Sequence, residues 1–223
     1  MKLIVFFCTA LLLYAQPSFS QSKKLLKKIY ASNQRTFYCN IPYTYIKNQA
    51  FLQNDGSYTP RNPTTKKGKI NPRTQRIEWE HIMPAENFGR HLPCWKKGGR
   101  KACRKDPTFV KMEADMHNLV PSIGELNGDR SNYRYAQAGL DIPFNQYGKC
   151  RFFVDFKNKR AYPRDEIKGD IARAYLYMSK TYNINLSPQE RKLMEAWDKL
   201  DPISEWEKEK NALIEKMQKN LYF

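Results

Sequence analysis

The sequence predicts an α+β chain, a small strand–strand–helix centre wrapped by helices. Three observations lead there. The stretch "INPRTQRIEWEHI" at 70–82 is strand-like, rich in Ile, Trp and Thr, and Pro84 stops it soon after. The run "HNLVP" at 117–121 closes on a proline and is followed by a compact helical turn reaching Asn127 before Gly128. In the last third, apolar residues recur at helical spacing. A chain of 223 residues fits one domain with a full hydrophobic core, and no internal repeat is evident.

The elements follow in order. Lys2 and the apolar run Leu3 to Tyr14 form a leader, and Ser18-Phe19-Ser20 before Gln21 has the small-x-small pattern of a processing site. The expected boundaries are a signal peptide at 1–20 and a domain at 21–223. An apolar core of about a dozen residues is too short to span a bilayer. "SKKLLKKIY" at 22–30 alternates basic and apolar residues and reads as an amphipathic helix. Residues 52–69 read as a long polar loop, and 88–108, punctuated by Gly89, Pro93, Gly98, Gly99 and Pro107, as mostly loop. "CRFFVDF" at 150–156 reads as a second strand region. Ile167, Ile171, Tyr175 and Met178 mark one helix face. Ser187-Pro-Gln-Glu190 has capping-box spacing for the next helix, and Asp201-Pro202 opens the last. This third reads as packing.

The formal net charge of +17 points to a polyanionic partner and is silent on fold. Basic residues crowd at 64–69, "TTKKGK", and at 94–105, "CWKKGGRKACRK", where Trp95 sits among cations. Cys8 falls in the leader, which leaves Cys39, Cys94, Cys103 and Cys150. An even number in an exported chain suggests two disulfides with three possible pairings. A short Cys94–Cys103 bridge would stabilise a Gly-rich basic loop that packs no core of its own, and Cys39 would then join Cys150.

The chemistry-bearing stretch is "RIEWEHIMPAENFG", where Glu80 and His81 are adjacent. Phosphodiester hydrolysis needs a deprotonated water, neutralised charge on the phosphoryl oxygens and a stabilised leaving oxygen. One hard divalent cation supplies the last two, and Mg2+ needs few protein ligands, all oxygen. A neutral imidazole, with an ordinary pKa of about 6.5, suits the first. Glu80 would be the carboxylate ligand, Asn127 the amide ligand and His81 the base. Neighbours in a regular strand point to opposite faces, so the chain must bend or end at Glu80–His81 for both to serve one site. His91 and His117 are rival bases.

At these residues the sequence resembles the bacterial endonuclease I family of secreted and periplasmic non-specific nucleases. The resemblance rests on "RIEWEHIMPAENFG" and "ADMHNLVPSIGELNGDRSNYRY", and more loosely on "KGDIARAYLYM" and the Trp-rich C-terminal third. It implies a ββα-metal (His-Me finger) core, with Glu80 and Asn127 as metal ligands and His81 as general base. Arg100 of the K-G-G-R loop would contact the scissile phosphate, and Glu113 would help to order metal-bound waters. Asp129 and Arg130 look like a charged pair fixing the helix. The implied activity is Mg2+-dependent cleavage of DNA, double- and single-stranded, to 5′-phosphate products by a monomer, with one ion that Mn2+ or Ca2+ could replace. RNA stays open as a substrate, and the location is secreted or periplasmic. The competing readings are a basic exported nucleic-acid-binding protein without catalysis, and a zinc hydrolase, for which the histidines lack H-x-x-x-H spacing.

Overall fold

The computed structural model describes residues 18–222. The leader expected over 1–20 therefore lies outside the described residues up to position 17. Helix α1, Phe19–Ile29, starts inside the expected processing motif, upstream of the position 22 read from the sequence. Ser18 accepts a hydrogen bond from the Gln21 N–H, and the Gln21 side chain accepts one from the Ser18 N–H, a complete capping box. A cut before Gln21 would remove both this cap and Phe19. Leu26 and Ile29, three apart, face inward, while Lys24 and Lys28 stay in solvent.

Strands β1, Tyr43–Ile46, and β2, Gln49–Leu52, form an antiparallel hairpin. A polar loop leads to β3, Ile77–His81, which is shorter than the strand expected over 70–82. Residues Pro72–Thr74 instead make a 3-10 turn capped by Asn71, because Pro72 at its first position cannot donate to a ladder. Four short helices follow: α2, Ala85–Gly89; α3, Pro93–Lys96; α4, Gly99–Ala102; and α5, Pro107–Ala114. The expectation of mostly loop over 88–108 is thus corrected. Helices of four or five residues are shorter than the period that would reveal them, and the Cys94–Cys103 disulfide ties α3 to the turn after α4. Gly89 permits the tight packing, since a Cβ there would meet the Trp95 ring at 2.5 Å.

Strand β4, Leu119–Ile123, pairs antiparallel with β3 in a two-stranded sheet, and α6, Gly124–Arg130, follows directly. Pro121 does not close the run as expected but lies inside β4, opposite Trp79. Its carbonyl accepts from the Phe37 N–H, away from β3, so the missing N–H costs the ladder nothing. A second sheet, in the order β5-β7-β6, holds β5, Arg134–Tyr135, β6, Phe153–Asp155, and β7, Arg160–Tyr162. The strand expected at 150–156 is therefore narrower and stands apart from the β3–β4 pair. Helices α7, Lys168–Tyr182, α8, Pro188–Leu200, and α9, Glu205–Tyr222, wrap the whole. Ser187 caps α8 as its spacing implied, while α9 opens at Ser204, later than Asp201-Pro202 suggested. Ile171, Tyr175 and Met178 on α7 and Trp197 on α8 are fully buried in the main core.

Two constraints hold distant segments together. Cys39–Cys150 spans 111 positions and Cys94–Cys103 spans 9. Fully buried Asp115 accepts hydrogen bonds from the His117 N–H and Nδ1, at 3.0 and 3.1 Å, and from the Tyr177 and Tyr182 hydroxyls, at 2.9 and 2.5 Å. Burial alone would raise its pKa, but the donors from His117 and Tyr182 outweigh it and hold the carboxyl below its ordinary range.

Chain-entropy reasoning gives the long bridge about 4–5 kcal/mol and the short one about 2–3 kcal/mol. In urea unfolding, Cys39→Ala with Cys150→Ala should therefore cost clearly more than Cys94→Ala with Cys103→Ala. Asp115→Asn should cost about 1–3 kcal/mol at neutral pH. A depressed folded pKa stabilises fully above the unfolded value, about 3.9. Unfolding followed against pH should therefore show the gap constant down to about pH 4 and shrinking as pH falls further.

Candidate active site

Strand β3 ends at His81, and its last residues line a cavity of about 540 Å3 with Glu78, Arg100, Asn127 and Arg130. Glu80 and His81, 4 % and 7 % exposed, are the last two residues of β3, paired with Val120 and Leu119, and both line this cavity. Of the residues singled out from the sequence, Glu80, His81, Arg100 and Asn127 line it. His91 is exposed between α2 and α3, and His117 packs against Tyr177 at 4.4 Å in a different region.

Glu80 is held on one oxygen only. Its Oε1 accepts from the Tyr38 hydroxyl and from Arg130 Nη1, both at 3.0 Å. Among the described residues nothing donates to Oε2. Burial pushes its pKa up to about 7, against the opposing pull of Arg130 and Tyr38. Arg130 is itself fully buried on α6. Its Nη1 also donates to the His81 carbonyl at 2.9 Å, its Nη2 to the Ile82 carbonyl at 2.5 Å, and its guanidinium lies 4.4 Å from the Tyr135 ring centroid. The expected Asp129–Arg130 pair does not form. Asp129 binds Arg61 at 2.9 Å and the Tyr147 hydroxyl at 2.8 Å, because adjacent residues on α6 face different sides.

His81 Nε2 lies 2.9 Å from the Glu113 carbonyl oxygen. A carbonyl only accepts, so Nε2 carries the proton and Nδ1 keeps its lone pair. The ring is flanked by Phe19, 5.1 Å away and stacked, and by Phe88, 5.8 Å away and tilted. Burial, with Arg100 and Arg130 adding to it, pushes the His81 pKa down to about 4, so the ring is neutral at neutral pH. Glu113 does not line the cavity. Its carboxylate accepts from Arg100 Nε at 2.6 Å while its carbonyl holds His81, so one residue of α5 fixes both neighbours.

Asn127 Nδ2 donates to Glu78 Oε2 at 2.8 Å. Glu78 is gripped by Arg73, Nε to Oε1 at 3.0 Å and Nη2 to Oε2 at 2.7 Å, and by Arg76, Nε to Oε1 at 2.8 Å. Sequence reasoning missed Glu78 and Tyr38, and it paired Arg130 with Asp129 where the fold pairs it with Glu80. A signal for the first was present: Glu78 and Glu80 are two apart and share one strand face.

Two side chains that line the cavity, Glu80 and Asn127, thus each keep one oxygen, Oε2 and Oδ1, without a protein donor among the described residues. A carboxylate and an amide oxygen fit a hard divalent cation that keeps most of its waters. Among the described residues no three His, Cys, Asp or Glu side chains group to hold an ion, so no caged zinc-type site stands there.

Replacing Arg130 with Met should leave Glu80 and two carbonyls without their donor in the interior. A loss of about 3–5 kcal/mol in urea unfolding is expected. Arg130→Lys should recover only part of it, since an ammonium cannot span three acceptors in fork geometry.

Comparison with known proteins agrees with the sequence resemblance. The endonuclease I family model matches residues 18–222. A periplasmic deoxyribonuclease of Aeromonas hydrophila is 47 % identical over 91 % of this chain and 83 % of its own. An extracellular deoxyribonuclease of the same species is 46 % identical over 96 % of this chain and 92 % of its own. Endonuclease-1 of Buchnera aphidicola is 42 % identical over 91 % of this chain and 78 % of its own. The matched span carries α1, the β3–β4 pair, α6 and the C-terminal helices alike, and the chain belongs to the endonuclease I family.

Proposed function

We propose that this chain is an exported Mg2+-dependent endonuclease that hydrolyses DNA phosphodiester bonds with little sequence preference. The observation that carries the reading is that Glu80, Asn127 and His81 line one cavity and each keeps an acceptor atom, Oε2, Oδ1 and Nδ1, without a donor among the described residues. In this reading β3, β4 and α6 are the ββα-metal finger. Glu80 and Asn127 hold the ion, which when bound neutralises the phosphoryl oxygens and stabilises the leaving oxygen. His81 takes the proton of the attacking water at Nδ1, while the Glu113 carbonyl fixes its tautomer. Arg100, half exposed and braced by Glu113, meets the scissile phosphate. Mn2+ or Ca2+ would occupy the same oxygens.

The substrate follows from charge and from kinship. The net charge of +17 holds phosphates without reading bases, so binding weakens steeply as salt rises. The relatives named deoxyribonucleases point to DNA, and RNA stays open. Their periplasmic and extracellular names, with the leader expected at 1–20, point to export. The proposed working form is a monomer.

Supercoiled plasmid incubated with the protein and Mg2+ should be nicked, linearised and degraded, and EDTA should stop this. His81→Ala should lower the rate by about 10²- to 10⁴-fold while DNA binding persists. A band shift with intact plasmid in Mg2+ would show a binding protein and overturn the proposal. Wild-type rates from His81→Ala would overturn the assignment of the base.

A further inference from the structure

We infer that Glu78 is a positioning residue that decides which end of the Asn127 amide faces the cavity. The inference rests on the metal-site reading above. An asparagine amide has a donor end and an acceptor end of nearly equal size, and only the acceptor end can bind a cation. A carboxylate only accepts. With Glu78 Oε2 at 2.8 Å from Asn127 Nδ2, the donor end is committed to Glu78 and Oδ1 is turned to the cavity.

The other partners of Glu78 are two arginines. Arg73 approaches both of its oxygens, at 3.0 and 2.7 Å, and Arg76 approaches Oε1 at 2.8 and 2.7 Å. With Asn127 on Oε2, both oxygens are taken, so Glu78 has no free position for an ion. Glu80, on the same strand face, keeps Oε2 unclaimed. The two carboxylates divide the work: one is neutralised by arginines and orients, the other binds. Helix α6 lies directly against this group, since a Cβ on Gly124 would come within 2.8 Å of Glu78 Oε1, and one on Gly128 would strike the Arg73 guanidinium. Glycines at these two positions let Asn127 approach Glu78 closely.

The geometry also fixes what an amide at position 78 would do. Arg73 Nε and Arg76 both crowd Oε1, so a glutamine there would present its oxygen to them and its NH2 to Asn127, at the cost of the one Arg73 Nη2 bond now made to Oε2. Asn127 would then turn its own oxygen to that glutamine and its NH2 to the cavity. The cure is the inverse pair, an aspartate at position 127 opposite a glutamine at position 78. It keeps the total charge, lets the glutamine donate, and leaves one oxygen of the aspartate for the ion.

The test is Mn2+ binding to the intact protein, by calorimetry or by the loss of free-ion EPR signal, for wild type, E78Q, N127D and the double variant E78Q/N127D. E78Q should weaken binding about tenfold or more. N127D should also weaken it, because two carboxylates would then meet at hydrogen-bond distance. The double variant should bind within about threefold of wild type, and plasmid cleavage should follow the same order. A purely structural role predicts that the two losses add. A double variant no better than N127D overturns the inference, and so does wild-type affinity in E78Q. Thermal melts confirm folding, and should E78Q unfold, comparing N127D with the double variant still decides. Wild type that neither binds Mn2+ nor cuts DNA would overturn the metal reading itself, a result distinct from additive losses in an active enzyme.

Discussion

A single buried guanidinium organises the centre of this molecule. Arg130 leaves the end of α6 and contacts three consecutive residues of another element: the Glu80 carboxylate and the His81 and Ile82 carbonyls. A charge with no solvent exposure needs partners, and both terminal nitrogens of Arg130 have them, while Nε is left without one. Those bonds tie α6 to the end of β3, so Asn127 on the first and Glu80 on the second are placed relative to each other by the same side chain that neutralises Glu80. The planar fork of arginine is what makes three acceptors reachable at once.

That clamp also explains the asymmetry of Glu80. A buried carboxylate with no partner would take up a proton, and one with every lone pair satisfied would have nothing to offer a cation. Tyr38 and Arg130 share Oε1 and leave Oε2 open, an intermediate condition that places the pKa near neutrality, at about 7. Glu78, two residues earlier, is the opposite case: two arginines and an amide cover both oxygens. The strand face thus carries two acids whose surroundings, more than their identity, set what each can do.

The β3–β4–α6 centre was legible because its signals are local. A β-rich run ends near Pro84, a second short run follows "ADMH", and a helix follows it, though it runs through Gly128 to Arg130 instead of ending at Asn127. The convergence of Glu80, His81 and Asn127 on one cavity was expected from chemistry and kinship, and the geometry places all of them there. What stayed hidden depends on contacts across long separations. Arg130 read as a partner for Asp129 because they are adjacent, whereas the fold sends one to Glu80 and the other to Arg61. Tyr38 lies 42 positions from Glu80, and no periodicity announces a bond of that reach. Pro121 misled because a proline usually ends a run, and only the free outer edge of a two-stranded sheet excuses it.

His81 shows how far the site depends on pieces remote in sequence. Phe19 comes from the first turn of α1, Phe88 from α2 and the Glu113 carbonyl from α5. Together they remove the ring from water, and this desolvation pushes its pKa down to about 4. The effect has two sides. A lower pKa makes a weaker base, but it also keeps the ring neutral near neutral pH, and the Glu113 carbonyl holds its one proton on Nε2. In a chain of net charge +17, with Arg100 and Arg130 both pressing on the imidazole, a cationic histidine would be repelled by both arginines. The aromatic walls and the surrounding arginines therefore act in the same direction. In the proposed reading, a site that draws phosphate with arginines needs its proton acceptor uncharged, and burial beside Phe19 and Phe88 is what keeps the imidazole so.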